Sequence, residues 1–407
     1  MQVAVRVDAS TEMGLGHLRR CLSLAQALRD AGAEVRFIAR DLGVDVASVI
    51  AAAGFCCVLL RAPRAGECSE GLSRDRGAGA CPPPSVGVGL VNSTSGGGQA
   101  PALRRIPDSA MALEIASAPP HARWAQVSWQ TDAAETAHAL AGVGVDWLVV
   151  DHYAFDERWH RALSPSNAAR VAVIDDLADR SLAVDLVIDH NQASDHRAKY
   201  AGWLDPTVPL LGGPRFALLD AAYATAPRYA FHAEVRSIGV FMGGADAADL
   251  SSQVLRACRE QIHFRGEVEF VTTRHNPHHD ALQALASRWP DTKVTLDLPD
   301  LTAFLARHDL QVGAGGGATW ERCCIGAPTL ALVVADNQRH VLEPLAQLGV
   351  LHALLQGPYT PSSLGTEIER MIADRPLRAL CAEQGRALVD GQGTRRVAYA
   401  MSVACRA

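Results

Sequence analysis

At 407 residues the chain has room for two domains of ordinary size. Its 48% hydrophobic content and mean hydropathy of +0.04 supply full cores, but no apolar run is long enough to span a bilayer. A net charge of −6 provides no basic surface for tracking phosphates, which argues against a nucleic-acid partner. No basic segment precedes an apolar one at the N-terminus, so a cytoplasmic location is expected, with no membrane contact. Ten cysteines are scattered without a C-x-x-C pair and read as reduced core residues rather than zinc ligands.

Val3, Val5 and Val7 begin the chain as a buried parallel strand. A polar loop from Asp8 to Gly16 follows, and Leu18, Cys21, Leu22, Ala25 and Leu28 then recur at helical spacing up to Gly32. His17 therefore stands where loop meets helix, at the carboxyl end of the first strand, the edge where open α/β sheets bind ligands. Gly14 and Gly16 allow close backbone approach, and the helix start favours an anion and a neutral imidazole, the form a general base needs. A His that only caps the turn is the alternative. Arg19 replaces the third glycine of G-x-G-x-x-G, so no dinucleotide fingerprint is present.

Val35 to Ala39 and Phe55 to Leu60 read as strands, with a helix from Val44 to Ala53 between them, giving a doubly wound parallel sheet. From about Pro63 to His121 the periodicity fails, and a dispensable low-complexity insert is expected there. A helix from Asp132 to Ala141 resumes the pattern. Strands then close successively in Asp151-His152-Tyr153, Asp175-Asp176 and Asp189-His190-Asn191. Repetition of polar residues at one sheet edge points to a cleft, although carboxylates there also cap helices. Either Asp8 or one of Asp175 and Asp176 is expected to orient the His17 ring.

The stretch Pro206 to Pro227 reads as the join between an N-terminal domain, 1–225, and a C-terminal domain, 232–400. In the second domain the strand Ser237 to Met242 leads into Gly243-Gly244, and Leu310 to Val312 leads into the run Gly313-Ala314-Gly315-Gly316-Gly317-Ala318-Thr319-Trp320-Glu321. Such a loop sets backbone donors where a diphosphate can lie, and Glu321 could accept from both ribose hydroxyls. Asn337 and Gln338 open a helix at the same edge. No Walker pattern occurs, and His275, His278 and His279 lie in a Pro-containing loop without a convincing carboxylate partner, so no metal and no cofactor are expected.

The glycine run, followed by Gly326-Ala327-Pro328 and Asn337-Gln338, resembles the nucleotide half of GT-B nucleotide-sugar enzymes of the MurG type. Arg6-Val7-Asp8-Ala9-Ser10, Met13-Gly14-Leu15-Gly16-His17, Asp151-His152-Tyr153, Asp175-Asp176 and Met242-Gly243-Gly244-Ala245-Asp246 narrow the resemblance further. Together they resemble the PseG family, hydrolases of UDP-2,4-diacetamido-2,4,6-trideoxy-β-L-altropyranose in pseudaminic acid biosynthesis and flagellin glycosylation.

The resemblance implies two Rossmann-like parallel-sheet domains facing across a cleft, the GT-B arrangement. It implies UDP held by the C-terminal domain, His17 as base toward water, Tyr153 near the sugar and Glu321 on the uridine ribose. The catalytic set is then His17, Tyr153 and Asp8. Gly14, Gly16, Asp151, His152, Asp176, Asn191, Gly243, Gly244, Gly316, Gly317, Thr319, Glu321, Asn337 and Gln338 form the substrate and UDP set. Asp220 departs from the pattern, since the family has an Arg after the segment matching Arg215 to Leu219. A GT-B glycosyltransferase with a UDP-sugar donor and a non-catalytic nucleotide-sugar binder are the rival readings. A small-molecule UDP-sugar is the expected partner, and a monomer is entertained with oligomeric state left open.

Overall fold

The computed structural model describes residues 1–63, 118–167 and 169–405, so most of the expected insert lies outside the described residues. Seven strands form the first sheet: β1 (Gln2–Val7), β2 (Glu34–Arg40), β3 (Cys56–Leu60), β4 (Trp147–Asp151), β5 (Arg170–Ile174), β6 (Leu186–Asp189) and β7 (Leu210–Gly212). Their order is β3-β2-β1-β4-β5-β6-β7, with every pairing parallel. Six form the second: β8 (Ser237–Phe241), β9 (Glu267–Thr272), β10 (Thr292–Leu296), β11 (Leu310–Ala314), β12 (Thr329–Leu332) and β13 (His352–Leu354). Their order is β10-β9-β8-β11-β12-β13, again all parallel.

Parallel neighbours require crossover helices on both faces, so central strands are buried on both sides and read as continuous apolar runs. Trp147 to Asp151 and Leu310 to Ala314 are buried at every position. Alternate residues of β1 feed two cores: Val3, Val5 and Val7 pack under the helix Gly16–Asp30, while Ala4 joins Leu148, Val150 and Phe155 on the far face. The helix Gly16–Asp30 buries Leu18, Cys21, Leu24, Ala25 and Leu28 and stops before Gly32, whose φ of +86° suits glycine.

The last helix, Gly393–Ala404, differs from its expected place in the 232–400 domain. Val397, Ala398 and Met401 complete the first domain's core, and the Trp147 indole Nε1 donates to the Met401 carbonyl at 3.1 Å. Periodicity marks an apolar face but not the domain that covers it. Strands β7 and β13 have three residues each, too few to register as a pattern.

Each sheet reverses its winding once, between β1 and β4 in the first and between β8 and β11 in the second. At such a switch point the two following loops run in opposite directions and leave a crevice at the strands' carboxyl ends. Val7 lies opposite Asp151 in register, and Phe241 opposite Gly313. The loop before His17 and the end of β4 thus share one crevice, while Gly243-Gly244 and the glycine run share the other.

Candidate active site

The loop after β1 is tightly wound. Gly14 N donates to the Ser10 carbonyl at 2.8 Å, Met13 N donates to the Ser10 hydroxyl at 3.1 Å, and Gly14 takes a φ of +71°. This turn delivers His17 into the first turn of the helix, 9% exposed. Its Nδ1 lies 2.7 Å from Asp151 Oδ1. Arg20, one turn further along the helix, donates from Nε to Asp151 Oδ2 and from Nη2 to Oδ1, both at 2.6 Å. Burial alone would raise the Asp151 carboxyl, but Arg20 and His17 beside it pull it far below the usual carboxylate range. With its proton on Nδ1, His17 donates to the ionised Asp151 and keeps a free lone pair on Nε2, the tautomer a general base requires, while Arg20 Nη2 lies 3.1 Å from the same Nδ1.

The ring is therefore oriented by Asp151, not by Asp8, Asp175 or Asp176. Asp8 is fully buried, paired with Arg6, accepting from Arg40 N at 2.6 Å and lying 3.3 Å from His152 Nε2. His152 is equally buried, stacks on Phe155 and accepts at Nδ1 from Ala154 N at 3.1 Å. Burial lowers its imidazole despite Asp8. Both residues brace the sheet edge from beneath and do not reach the crevice. Asp175 is likewise occupied, by Arg180 at 2.7 Å and the Tyr200 hydroxyl at 2.9 Å.

Tyr153, Asp176 and Asn191 are brought together. The Tyr153 hydroxyl donates to Asp176, whose other oxygen accepts from Asn191 Nδ2 at 2.9 Å. Burial and the Asp176 charge push the Tyr153 hydroxyl well up, so it stays a neutral donor. His190 beside them is pushed down to about 4 by burial and by Arg20. Sequence reasoning missed Arg20, whose signal was its three-residue spacing from His17 on one helix face. It also missed His121, at the end of the irregular stretch, and Trp124 just after it, neither of which carries a motif. Their rings lie 5.6 Å from that of Tyr153, and Trp124 lies 6.0 Å from His17.

The opposite edge is built from backbone. A Cβ on Gly315 would lie 2.5 Å from Leu342 Cδ1, so that glycine is needed for packing. At Gly317 a Cβ would meet nothing within 4 Å, and at Gly316 only Gln338 Nε2 at 3.9 Å. These two open onto free space at the start of the helix Ala318–Ile325, where Thr319 N and Trp320 N donate to the Gly316 and Gly317 carbonyls at 2.9 and 3.1 Å and the helix dipole favours an anion. Gly243, with φ +91°, and Gly244 form the adjoining turn, tied by Thr273 Oγ1 to the Gly244 carbonyl at 2.7 Å.

Thr319 differs from its expected role: it is 1% exposed and its hydroxyl accepts from Arg322 Nη2 at 3.2 Å. Arg322 also donates to the Ala314 carbonyl at 2.6 Å, so the pair stiffens the loop from inside. Glu321 remains half-buried at the edge. Burial raises its carboxyl, opposed by Arg19 of the first domain and by Tyr223. Gln338 accepts from Val334 N at 2.9 Å, while the side chain of Asn337 lies outside the described residues. The two edges meet where the His190 and Trp320 rings lie 6.2 Å apart.

Asp220, where an Arg was expected, is exposed and accepts from Ala222 N at 2.8 Å, starting the short helix Ala222–Thr225. Among the described residues, no group of three or more His, Cys, Asp or Glu is gathered to hold a metal, and no helix is long and apolar enough to cross a membrane.

No family model matches the chain. The spore coat polysaccharide biosynthesis protein SpsG of Bacillus subtilis is 24% identical over 256 residues, spanning 62% of this chain and 75% of that protein. A UDP-N-acetylglucosamine–N-acetylmuramyl-(pentapeptide) pyrophosphoryl-undecaprenol N-acetylglucosamine transferase of Sorangium cellulosum is 28% identical over 200 residues, 47% of this chain and 48% of that one. Among solved structures, MurG of Acinetobacter baumannii superposes with a TM-score of 0.62 over 99% of both chains, at 12% identity. The fold is GT-B. Two parallel-sheet α/β domains of seven and six strands, each with its switch point on the shared cleft, are the arrangement expected from sequence.

Proposed function

We propose that this protein cleaves the bond between sugar and diphosphate in a UDP-linked sugar, with His17 activating the nucleophile. The observation that carries this reading is the His17–Asp151–Arg20 arrangement at one switch point, facing an open glycine edge at the other. Nε2 of His17 removes a proton as the nucleophile's oxygen bonds to the anomeric carbon. The bond from that carbon to the β-phosphate oxygen breaks, and UDP leaves with the electron pair. N–H groups at the start of the helix Ala318–Ile325 stabilise the negative charge on the departing diphosphate. Glu321 binds the ribose, and Tyr153 and Asn191 position the sugar.

Water is the nucleophile in this reading. Support comes from the PseG-like motif set and from the confinement of His17, which is 9% exposed and edged by the Tyr153 ring at 4.8 Å. Such a confined base suits a small nucleophile. A second reading, transfer to a hydroxyl acceptor, is favoured by the names of the similar proteins, one of which is itself a glycosyltransferase acting with a UDP-sugar. The same His17 chemistry serves both, because fold alone does not choose the acceptor.

Time-resolved proton NMR of a UDP-sugar panel separates them. UDP and free sugar accumulating without any acceptor is the expected result. UDP release only after a hydroxyl compound is added gives the transferase, and no release under either condition overturns both.

A further inference from the structure

Between the two crevices stands an imidazole that the proposed chemistry leaves unused. His190 follows β6, and the residues on either side of it are fixed. Asp189 Oδ2 accepts from Lys199 Nζ at 2.7 Å, its Oδ1 from Asn191 N at 3.0 Å, and its carbonyl from Gly213 N at 2.8 Å. Asn191 in turn donates from Nδ2 to Asp176, and its carbonyl lies 3.0 Å from His196 Nε2. This turn holds His190 in place at 6% exposure, yet among the described residues its ring makes no hydrogen bond. Of its two nitrogens only Nδ1 is sealed off without a partner, which leaves Nε2 as the one able to reach a ligand.

Buried polar groups in native proteins are nearly always paired, so an unpaired one calls for an account. Burial and the Arg20 charge push this imidazole down to about 4, so in neutral solution it carries one ring proton and no charge. Protein interiors tolerate an unpaired lone pair better than an unpaired N–H, which assigns that proton to Nε2. His190 therefore has one N–H to offer. On one side of it lie Arg20, Asp176 and His17, the groups of the β1/β4 crevice. On the other its ring stands edge-on to that of Trp320 at 6.2 Å, and Trp320 belongs to the first turn of the helix that starts at the glycine edge. In a UDP-sugar with its anomeric carbon near His17 and its diphosphate at Gly316 and Gly317, the β-phosphate lies between those two places. We infer that His190 is a further substrate-binding residue, a neutral donor from Nε2 to the β-phosphate of the nucleotide sugar, contributed across the cleft by the first domain. The hydrogen stays on the imidazole, so the contact stabilises negative charge without transferring a proton. This rests on the UDP-sugar reading above.

Calorimetric titration of the full chain with UMP, UDP and UDP-N-acetylglucosamine tests it, because UMP lacks the β-phosphate. His190→Leu should weaken UDP binding about 10- to 100-fold, the loss of one hydrogen bond to a charged acceptor, and leave UMP affinity unchanged. Its melting temperature should not fall, since the imidazole removed has no partner in the free protein. His190→Gln, which keeps a neutral N–H donor of similar reach, should retain most of the UDP affinity. Equal losses for UMP and UDP, or a lowered melting temperature with UDP affinity intact, would make His190 a packing residue between the domains. A loss confined to UDP-N-acetylglucosamine, with UDP bound as before, would move the contact to the sugar. Either result overturns the proposal, as does a Gln variant that binds UDP as weakly as the Leu variant. Failure of the wild type to bind UDP would instead sink the functional reading beneath it.

Discussion

The two switch points are alike in topology and opposite in chemistry. At the β1/β4 crevice the chain places polar and charged side chains, His17, Arg20, Asp151 and Asp176, tied to one another and to Asn191. At the β8/β11 crevice it places chiefly backbone: Gly316 and Gly317, whose missing Cβ atoms leave free space, at the start of a helix whose dipole favours an anion. A proton acceptor needs one fixed orientation, which costs several buried partners. An anion cradle needs room and backbone dipoles, which side chains would obstruct. On the proposed function, one topology divides the work between activating a nucleophile and receiving a leaving group.

If that division holds, damage to the first crevice should appear in turnover and damage to the second in binding. His17→Asn is expected to lower kcat about a hundred- to ten-thousand-fold while UDP affinity, read by calorimetry, stays near its original value. Asp151→Asn should produce a comparable loss, and the double variant should be little worse than either, since the two act as a unit. The Asp151 change also leaves the Arg20 guanidinium largely buried without its carboxylate, so urea unfolding should show a loss of about 3 kcal/mol or more. Additive kinetic losses would show that Asp151 is not the partner that orients His17.

The second crevice offers the converse test. Gly316→Leu introduces a side chain where a Cβ meets nothing nearer than 3.9 Å. Thermal stability should therefore stay close to wild type while UDP binding weakens about tenfold or more as the side chain takes up the anion's space. Gly315→Leu should behave differently, because its Cβ collides with Leu342 at 2.5 Å and the protein should lose stability as well as affinity. Equal stability loss in both variants would mean that the free space at Gly316 has no relation to a ligand.

Much of this division was legible in the sequence, for physical reasons that also mark its limits. Fully buried parallel strands are continuous apolar runs, so β1, β4, β5, β8 and β11 announced themselves, and the residues following them had to lie on one edge. Which carboxylate faces His17 was not legible. Asp8 and Asp151 both end strands at the same crevice, yet β1's own alternation turns Asp8 toward Arg6 beneath the sheet, leaving Asp151 for the ring. Thr319 sat inside a nucleotide-like run, but its hydroxyl turns inward to Arg322, a residue whose burial no motif signalled. Trp124 and the packing of Gly393–Ala404 depend on contacts between segments far apart in the chain, which local pattern cannot report.

The smallest expected effect concerns Glu321, a half-buried carboxylate at the glycine edge. Burial raises its carboxyl above the ordinary Glu range, with Arg19 and Tyr223 opposing. Only the ionised form accepts from both ribose hydroxyls, so UDP affinity should fall as pH drops through that raised value, earlier than an exposed glutamate would allow. Above it, affinity should be flat with pH. Glu321→Gln keeps the shape and one acceptor oxygen, so UDP binding at neutral pH should weaken only about 3- to 10-fold, the loss of one charge-assisted hydrogen bond. The variant should also lose the acid-side decline. kcat at saturating substrate should change little, because the ribose contact is the same before and during bond cleavage. A decline that persists unchanged in Glu321→Gln would place the titrating group elsewhere. A drop in kcat matching that of His17→Asn would mean that the two crevices do not divide the work as their chemistry suggests.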